Sequence, residues 1–190
     1  MTEIVAAVLW RRLDTEGHDA CALQRVAEGW RLDGQAVFDH DGKTCRLSYS
    51  VECDDGWRTR GATVHGAVGL DRVTLDIGPG SGEWLLNGEP QPAARGCVDL
   101  DLGFTPATNL VAIRRLAPKQ DEDTPAPAAY LAFPELRLER LEQIYRRKGP
   151  STLGYSAPAY DYEDVLEVDR HGFVTQYPGL WTGRVSSRDE

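Results

Sequence analysis

The feature that most constrains the fold is the close spacing of glycine turn signals in the first half of the chain. Dipeptides typical of tight turns are separated there by short segments in which apolar and polar residues alternate. The turn signals are Asp33-Gly34, Asp41-Gly42, Asp55-Gly56, the glycine-rich run 78–82 and Asn87-Gly88. Because the intervening segments leave no room for crossover helices, the sequence predicts antiparallel strands joined by hairpins.

The segment 98–102 places two carboxylates on one side of a predicted strand. Its apolar residues alternate with Asp99 and Asp101, so the two acids share a face, with Cα atoms about 6.5–7 Å apart. On an enclosed face the pair could bind a polar ligand together, and on an open face it would be a solvated surface. The pattern leaves both alternatives open.

Regular structure in the second half of the chain is less clearly marked. Residues 105–116 predict a short helix, because Thr105 is a favourable N-cap and Pro106 suits the first helical position. Residues 117–129 lack periodicity and predict an exposed loop. The pattern over 134–148 fits either a helix or a bulged strand.

Charge and the N-terminal pattern disfavour several classes of partner. Twenty-one basic and thirty acidic residues give a net charge of −9, which disfavours nucleic acid and anionic membrane surfaces. No apolar run approaches the roughly eighteen residues of a membrane span, so we expect no stable membrane insertion. The apolar segment 4–10 precedes Arg11 and Arg12, the reverse of a secretory signal. We therefore expect a cytoplasmic protein with one domain over residues 1–190.

The residues that usually hold metals or cofactors show no recognised spacing. Cys21, Cys45, Cys53 and Cys97 form no paired motif, and the four histidines stand singly. The glycine-rich run lacks the lysine of a phosphate-binding loop. The sequence therefore predicts no metal, no cofactor and four free thiols that act as small buried side chains.

Two further groups of side chains could contact a ligand. Arg114 and Arg115 are adjacent near the end of the predicted helix and point about 100° apart, so only one of them can face the paired acids. Aromatic residues also gather late in the chain, where their rings would suit either sugar faces or a barrel core. These residues are Tyr145, Tyr155, Tyr160, Tyr162, Tyr177 and Trp181.

Several segments together resemble the successive signatures of one family, over nearly the whole chain. The most specific are Gly96-Cys97-Val98-Asp99-Leu100-Asp101 and the run from Thr105-Pro106-Ala107-Thr108-Asn109 to Ile113-Arg114-Arg115-Leu116. On these segments the chain resembles the glycolipid-binding family, formerly a domain of unknown function. The resemblance implies a mainly β fold, a many-stranded antiparallel sheet or open barrel wrapped around a single α-helix, with a shape like that of lipoprotein localisation factors. It also implies a homodimer with an acidic pocket, the helix at 105–116 and a bulged strand at 134–148.

From the residues and the resemblance together, we expect a non-catalytic protein that binds a glycolipid or a related sugar-containing amphipathic molecule. Carboxylates would accept hydrogen bonds from sugar hydroxyls, and aromatic rings would stack on the sugar. The candidate ligand-binding residues are Asp19, Asp99, Asp101, Asn109, Arg114, Arg115, Gln143, Tyr145, Tyr155 and Trp181. One alternative is an enzyme that acts on a sugar-lipid with the aspartate pair as general acid and base. Another is a scaffold whose main function is its dimer interface.

Overall fold

The fold is a large antiparallel sheet around one helix, in a computed structural model that describes residues 2–187. Fourteen strands form the large sheet and three form a small sheet beside it. The prediction of a mainly β fold with a single α-helix is confirmed for this part of the chain. The predicted domain, 1–190, extends beyond the described residues at both ends.

The first eight strands lie side by side in the order of the sequence. They are β1 (Glu3–Arg12), β2 (Gly17–Val26), β3 (Gly29–His40), β4 (Lys43–Cys53), β5 (Thr59–Val68), β6 (Asp71–Pro79), β7 (Trp84–Leu86) and β8 (Glu89–Gln91). Each pairs antiparallel with the next. The predicted antiparallel pairing of successive strands is therefore confirmed for this half of the chain.

The second half supplies the helix, the small sheet and the other strands of the large sheet. The elements are β9 (Asp99–Leu102), α1 (Asn109–Leu116), β10 (Thr124–Pro125), β11 (Ala128–Ala132), β12 (Arg137–Leu141), β13 (Ile144–Gly149), β14 (Thr152–Ala157), β15 (Tyr162–Val168), β16 (Val174–Tyr177) and β17 (Trp181–Ser187). The large sheet runs in the order β10-β13-β14-β15-β16-β17-β1 and then through to β8, while the small sheet has the order β12-β11-β9.

Two of the predicted turns are confirmed as hairpin corners, and one predicted turn is wrong. Asp41-Gly42 and Asn87-Gly88 form hairpin corners, and all four residues have positive φ angles between 51° and 82°. Asp33-Gly34 instead lies inside β3. At Gly34, an added Cβ would lie 2.4 Å from the hydroxyl oxygen of Tyr49, so this glycine leaves room for a ring rather than forming a turn.

Three predictions for the second half need correction. The helix begins at Asn109 rather than Thr105, because Thr105 Oγ1 accepts a hydrogen bond from Ala107 N in a turn that precedes it. The predicted loop 117–129 includes the buried start of β11, whose small alanines give little hydrophobic pattern. The segment 134–148 contains two strands in different sheets, rather than a helix or one bulged strand.

The helix joins the two apolar clusters of the core. Leu110 and Val111 pack in the larger cluster, which contains the inner faces of β1 to β6, while Ala112 and Ile113 pack in the smaller cluster against β13 to β16. The thiols of Cys21, Cys45 and Cys53 are buried in the larger cluster, and Cys97 is half-buried. Within residues 2–187, no helix has both the length and the apolar character needed to cross a bilayer.

Candidate functional site

A cavity of about 330 Å³ opens between the start of the helix, the small sheet and the last strands of the large sheet. Asp101 on β9, Thr105 and Pro106 in the following connection, and Asn109 at the first position of α1 line one part of it. Aromatic side chains dominate the remainder. These are Tyr130, Tyr155, Tyr160, Tyr162, Tyr177 and Trp181.

Asp101 is held in the cavity by two neutral hydrogen-bond donors. Thr108 Oγ1 donates to Asp101 Oδ1 at 2.9 Å, and Gln143 Nε2 donates to Asp101 Oδ2. Burial is the main cause of the raised pKa of Asp101, and the negative charge of Asp99 adds to it. Because a carboxylate can accept about four hydrogen bonds, Asp101 keeps acceptor capacity for a ligand.

Asp99 lies on the same face of β9 but has a charged partner. Arg115 Nε donates to Asp99 Oδ1 at 2.6 Å and Arg115 Nη2 to Asp99 Oδ2 at 2.8 Å, a bidentate ion pair. The hydrogen bond to Asp99 raises the pKa of Arg115. Asp99 is 1% exposed and is not among the residues that line the cavity. The face that carries both acids is therefore enclosed, but only Asp101 reaches the cavity.

Asp19 is connected to the cavity through two hydroxyl groups. The Tyr49 hydroxyl donates to both carboxylate oxygens of Asp19, at 3.0 and 3.1 Å, and lies 3.1 Å from Thr105 Oγ1. Thr105 lines the cavity, whereas Asp19 is fully buried behind it. Burial raises the pKa of Asp19 to about 6.

A chain of buried hydrogen bonds supports Asp101 from behind. Asn109 Nδ2 donates to the Tyr145 hydroxyl at 2.7 Å, and that hydroxyl donates to Gln143 Oε1 at 3.4 Å. Gln143 in turn donates to Asp101. This series of hydrogen bonds thus begins at Asn109 and ends at Asp101, both of which line the cavity. Tyr145 and Gln143, between them, restrain the orientation of both side chains.

The hydroxyls of four cavity tyrosines, Tyr130, Tyr155, Tyr162 and Tyr177, remain protonated over the ordinary pH range. Burial is the main cause of the raised pKa values of Tyr130, Tyr155 and Tyr177, and the charge of Asp101 contributes to each. Burial also raises the pKa of Tyr162 to about 12. These four tyrosines therefore present neutral phenols, which can donate or accept hydrogen bonds, beside the carboxyl group of Asp101.

Residues 7–183 match the model of the family described as "Putative glycolipid-binding". The chain belongs to this family. A crystal structure of a DUF1089 family protein from Pseudomonas aeruginosa is similar, with a TM-score of 0.75, 30% sequence identity and coverage of 86% of this chain and 91% of that chain. No curated protein matches the chain.

In this member of the glycolipid-binding family, four of the ten candidate residues line the cavity: Asp101, Asn109, Tyr155 and Trp181. The structure places Asp19, Gln143 and Tyr145 behind them as hydrogen-bonded support, and pairs the buried Asp99 with the partly buried Arg115. Arg114 lies elsewhere. It is exposed, and its guanidinium carbon lies 5.2 Å from the centre of a Trp57 ring.

Several cavity residues of this family member were not among the ten candidates. Tyr160, Tyr162 and Tyr177 belong to the late aromatic group, where the sequence could not distinguish a cavity wall from a core. Tyr130 lies in β11 directly after the predicted loop, and the alanine-rich sequence gave no strand signal there. For Thr105, the sequence predicts a helix cap within one of the family segments but no place in a cavity.

Proposed function

We propose that the protein binds the sugar headgroup of a glycolipid, or of a related amphipathic molecule, in the cavity at Asp101 without catalysing a reaction. The observation that carries this proposal is the combination of one anchored carboxylate with a wall of tyrosines. A carboxylate accepts hydrogen bonds from sugar hydroxyls, while aromatic rings pack against the apolar C–H faces of a sugar. Membership of the glycolipid-binding family supports the same ligand class.

The size and apolar lining of the cavity suit a headgroup with the beginning of a hydrocarbon chain. Its volume of about 330 Å³ is near the lower end of the roughly 300–1,000 Å³ typical of ligand pockets. Leu141, Ala157 and Leu180 provide aliphatic surface beside the polar groups. An amphipathic ligand could satisfy both kinds of surface, whereas a free sugar would leave the aliphatic surface without a partner.

The geometry favours binding over the hydrolytic alternative. Glycoside hydrolysis commonly uses two carboxyl groups about 5–9.5 Å apart that face the same bond. Among the described residues that line the cavity, Asp101 supplies the only carboxylate. Asp99, the other half of the predicted acid pair, has both oxygens bound by Arg115.

The proposal is tested by titrating the purified protein with octyl β-glucoside below its micellar concentration, with glucose and octanol as the two separate halves of that molecule. We expect saturable binding of the glycoside and much weaker binding of either half. Tyr160→Ala should weaken the binding, because Tyr160 lines the cavity and is 56% exposed, so its loss leaves the core intact. Leu70→Ala, at an exposed turn, is the matched control. Absence of glycoside binding, or equal binding by both variants, would overturn the proposal.

We further propose that the protein acts as a homodimer in the cytoplasm. The family resemblance supports the dimer, and the free cysteines fit a reducing compartment. The outer face of the large sheet carries a small apolar patch that could form an interface. It consists of Ala7, Leu9, Ala20, Ala22 and Val37 on β1, β2 and β3.

A further inference from the structure

The two aspartates of β9 differ in whether their charge is neutralised. Asp99 has the bidentate guanidinium of Arg115. Asp101, two residues further along, has only the hydroxyl of Thr108 and the side-chain amide of Gln143 as donors. In the described part of the chain, Asp101 takes part in none of the ion pairs. A partly buried carboxylate without a cationic partner is costly, and that cost falls when a cation binds beside it.

The rings near Asp101 form inclined walls rather than a parallel stack. The centroids of Tyr155, Tyr162 and Tyr177 lie 5.3–6.0 Å apart in pairs, with interplanar angles of 52°, 65° and 77°. Tyr130 and Tyr160 form a second corner, with centroids 5.7 Å apart and planes inclined by 64°. Tyrosines that line one cavity can bind an ammonium group there, because the negative face of an aromatic ring attracts a cation.

No protein cation occupies this space in the described structure. Lys, Arg and His are absent from the described residues that line the cavity. The Arg12 guanidinium packs 4.9 Å from the centre of a Trp181 ring, but it is paired with Asp14 at 2.6 Å and is not a lining residue. The cavity therefore combines a carboxyl group that has no cationic partner, several aromatic walls and no basic lining residue among those described.

We infer that the ligand of this cavity carries a positively charged amino group, which lies between the tyrosine walls and the Asp101 carboxylate. The inference rests on the proposed function, since it specifies the headgroup bound in the same cavity. The shared chemistry is an ammonium group, supplied either by an amino sugar or by a quaternary amine headgroup. A neutral sugar would leave the Asp101 charge unpaired, and an anionic phosphate headgroup would be repelled by it.

The test compares two probes that differ in one substituent: octyl β-glucoside and octyl 2-amino-2-deoxy-β-glucoside. Both are titrated by calorimetry at about pH 6.5, below the pKa of such an amine. We expect the amino glycoside to bind about tenfold more tightly or better. The N-acetylated form of the amino glycoside has no charge and should lose this advantage. This comparison of ligands needs only the wild-type protein.

Protein variants test the role of Asp101 in the same preference. Asp101→Asn should bring the affinity for the amino glycoside to that for the neutral glycoside. Asp76→Asn, on the exposed outer face of β6, should leave the preference unchanged.

The outcomes separate this inference from the proposed function. Equal affinities for the two glycosides, or tighter binding of octyl phosphate, would overturn the inference and leave glycoside binding standing. If neither glycoside binds, choline is compared with its neutral isostere, 3,3-dimethylbutan-1-ol. A preference for choline that Asp101→Asn removes would support the ammonium site and overturn the sugar ligand. If neither glycoside binds and choline shows no preference over its isostere, both the inference and the proposed function are overturned.

Discussion

At the scale of single residues, the partner of a carboxylate decides whether it stabilises the fold or remains available for a ligand. Asp99 and Asp101 lie two residues apart on β9 and share a face. Arg115 engages both oxygens of Asp99, whereas the neutral donors to Asp101 fix its orientation without cancelling its charge. The alternation of the strand predicts the shared face, but only the tertiary structure distinguishes the two roles.

The two adjacent arginines should therefore differ in their contribution to stability. Arg115→Ala leaves the buried Asp99 carboxylate unpaired, so we expect a loss of about 3–5 kcal/mol in the free energy of unfolding. Arg114→Ala removes an exposed contact with Trp57 and should cost less than about 1 kcal/mol. Urea denaturation of both variants measures the difference. Combining Arg115→Ala with Asp99→Asn should recover part of the loss, and two equal losses in the single variants would contradict a structural ion pair.

A second prediction at this scale concerns the pH dependence contributed by Asp19. Its pKa is raised from 3.8 to about 6 by burial, so the folded state binds this proton more tightly than the unfolded state. The contribution of Asp19 to stability is therefore fully present below pH 3.8 and is lost as the pH rises through 6. Relative to Asp19→Asn, the wild-type protein should lose about 2–3 kcal/mol of unfolding free energy between pH 4 and pH 7. Urea denaturation across this range tests the prediction, and parallel pH profiles for the two proteins would refute it.

At the scale of secondary-structure elements, the sequence predicts regular hairpins well and irregular connections poorly. Asp41-Gly42 and Asn87-Gly88 carry enough local information to define their turns, because few residues other than glycine and asparagine or aspartate adopt the required φ angles. The start of α1 depends instead on non-local contacts. Thr108 Oγ1 donates to Asp101 and accepts a hydrogen bond from Leu102 N, and neither bond is visible in the local sequence.

The segment 134–148, which contributes to the candidate site, also depends on non-local contacts that the local sequence does not show. Its residues favour β structure as well as helix, but which sheet each part joins depends on β11 and β14. The change of sheet occurs around Gln143, whose side chain reaches Asp101. The sequence therefore supplied Asp101, Asn109, Tyr155 and Trp181 as candidates, but it could not show that Gln143 and Tyr145 lie behind the lining or that Tyr130 belongs to it.

A third prediction concerns Gly34, which lies inside β3 although Asp33-Gly34 resembles a turn signal. An alanine Cβ at this position would lie 2.4 Å from both Cζ and the hydroxyl oxygen of Tyr49. Gly34→Ala should therefore displace the ring of Tyr49, whose hydroxyl donates to Asp19, and lower the free energy of unfolding by about 1–3 kcal/mol. Gly61→Ala is the matched control in β5, because its added Cβ would approach a backbone oxygen only to 3.4 Å. Equal effects of the two substitutions on thermal unfolding would contradict the steric argument.

At the scale of the whole molecule, the cavity is built from parts of the chain that are distant in sequence. Asp101 lies on β9 in the small sheet, while Tyr155, Tyr177 and Trp181 lie on β14, β16 and β17 in the large sheet. The helix lies between the clusters formed by the two halves of that sheet. Ligand binding in the cavity should consequently stabilise the packing of the small sheet against the last strands.

The last prediction concerns assembly through the outer face of the large sheet. On β1, Leu9 is 46% exposed and pairs with Ala20, while Ala7 pairs with Ala22. A second copy seated on this patch would remove these apolar side chains from water. Leu9→Glu would place a charge in such an interface, and together with the net charge of −9 it should shift the protein to monomer in sedimentation velocity. Val165→Glu, a similarly exposed position on β15, should leave the dimer intact. A dimeric Leu9→Glu variant would place the interface elsewhere, and a monomeric wild-type protein at high micromolar concentration would refute the dimer.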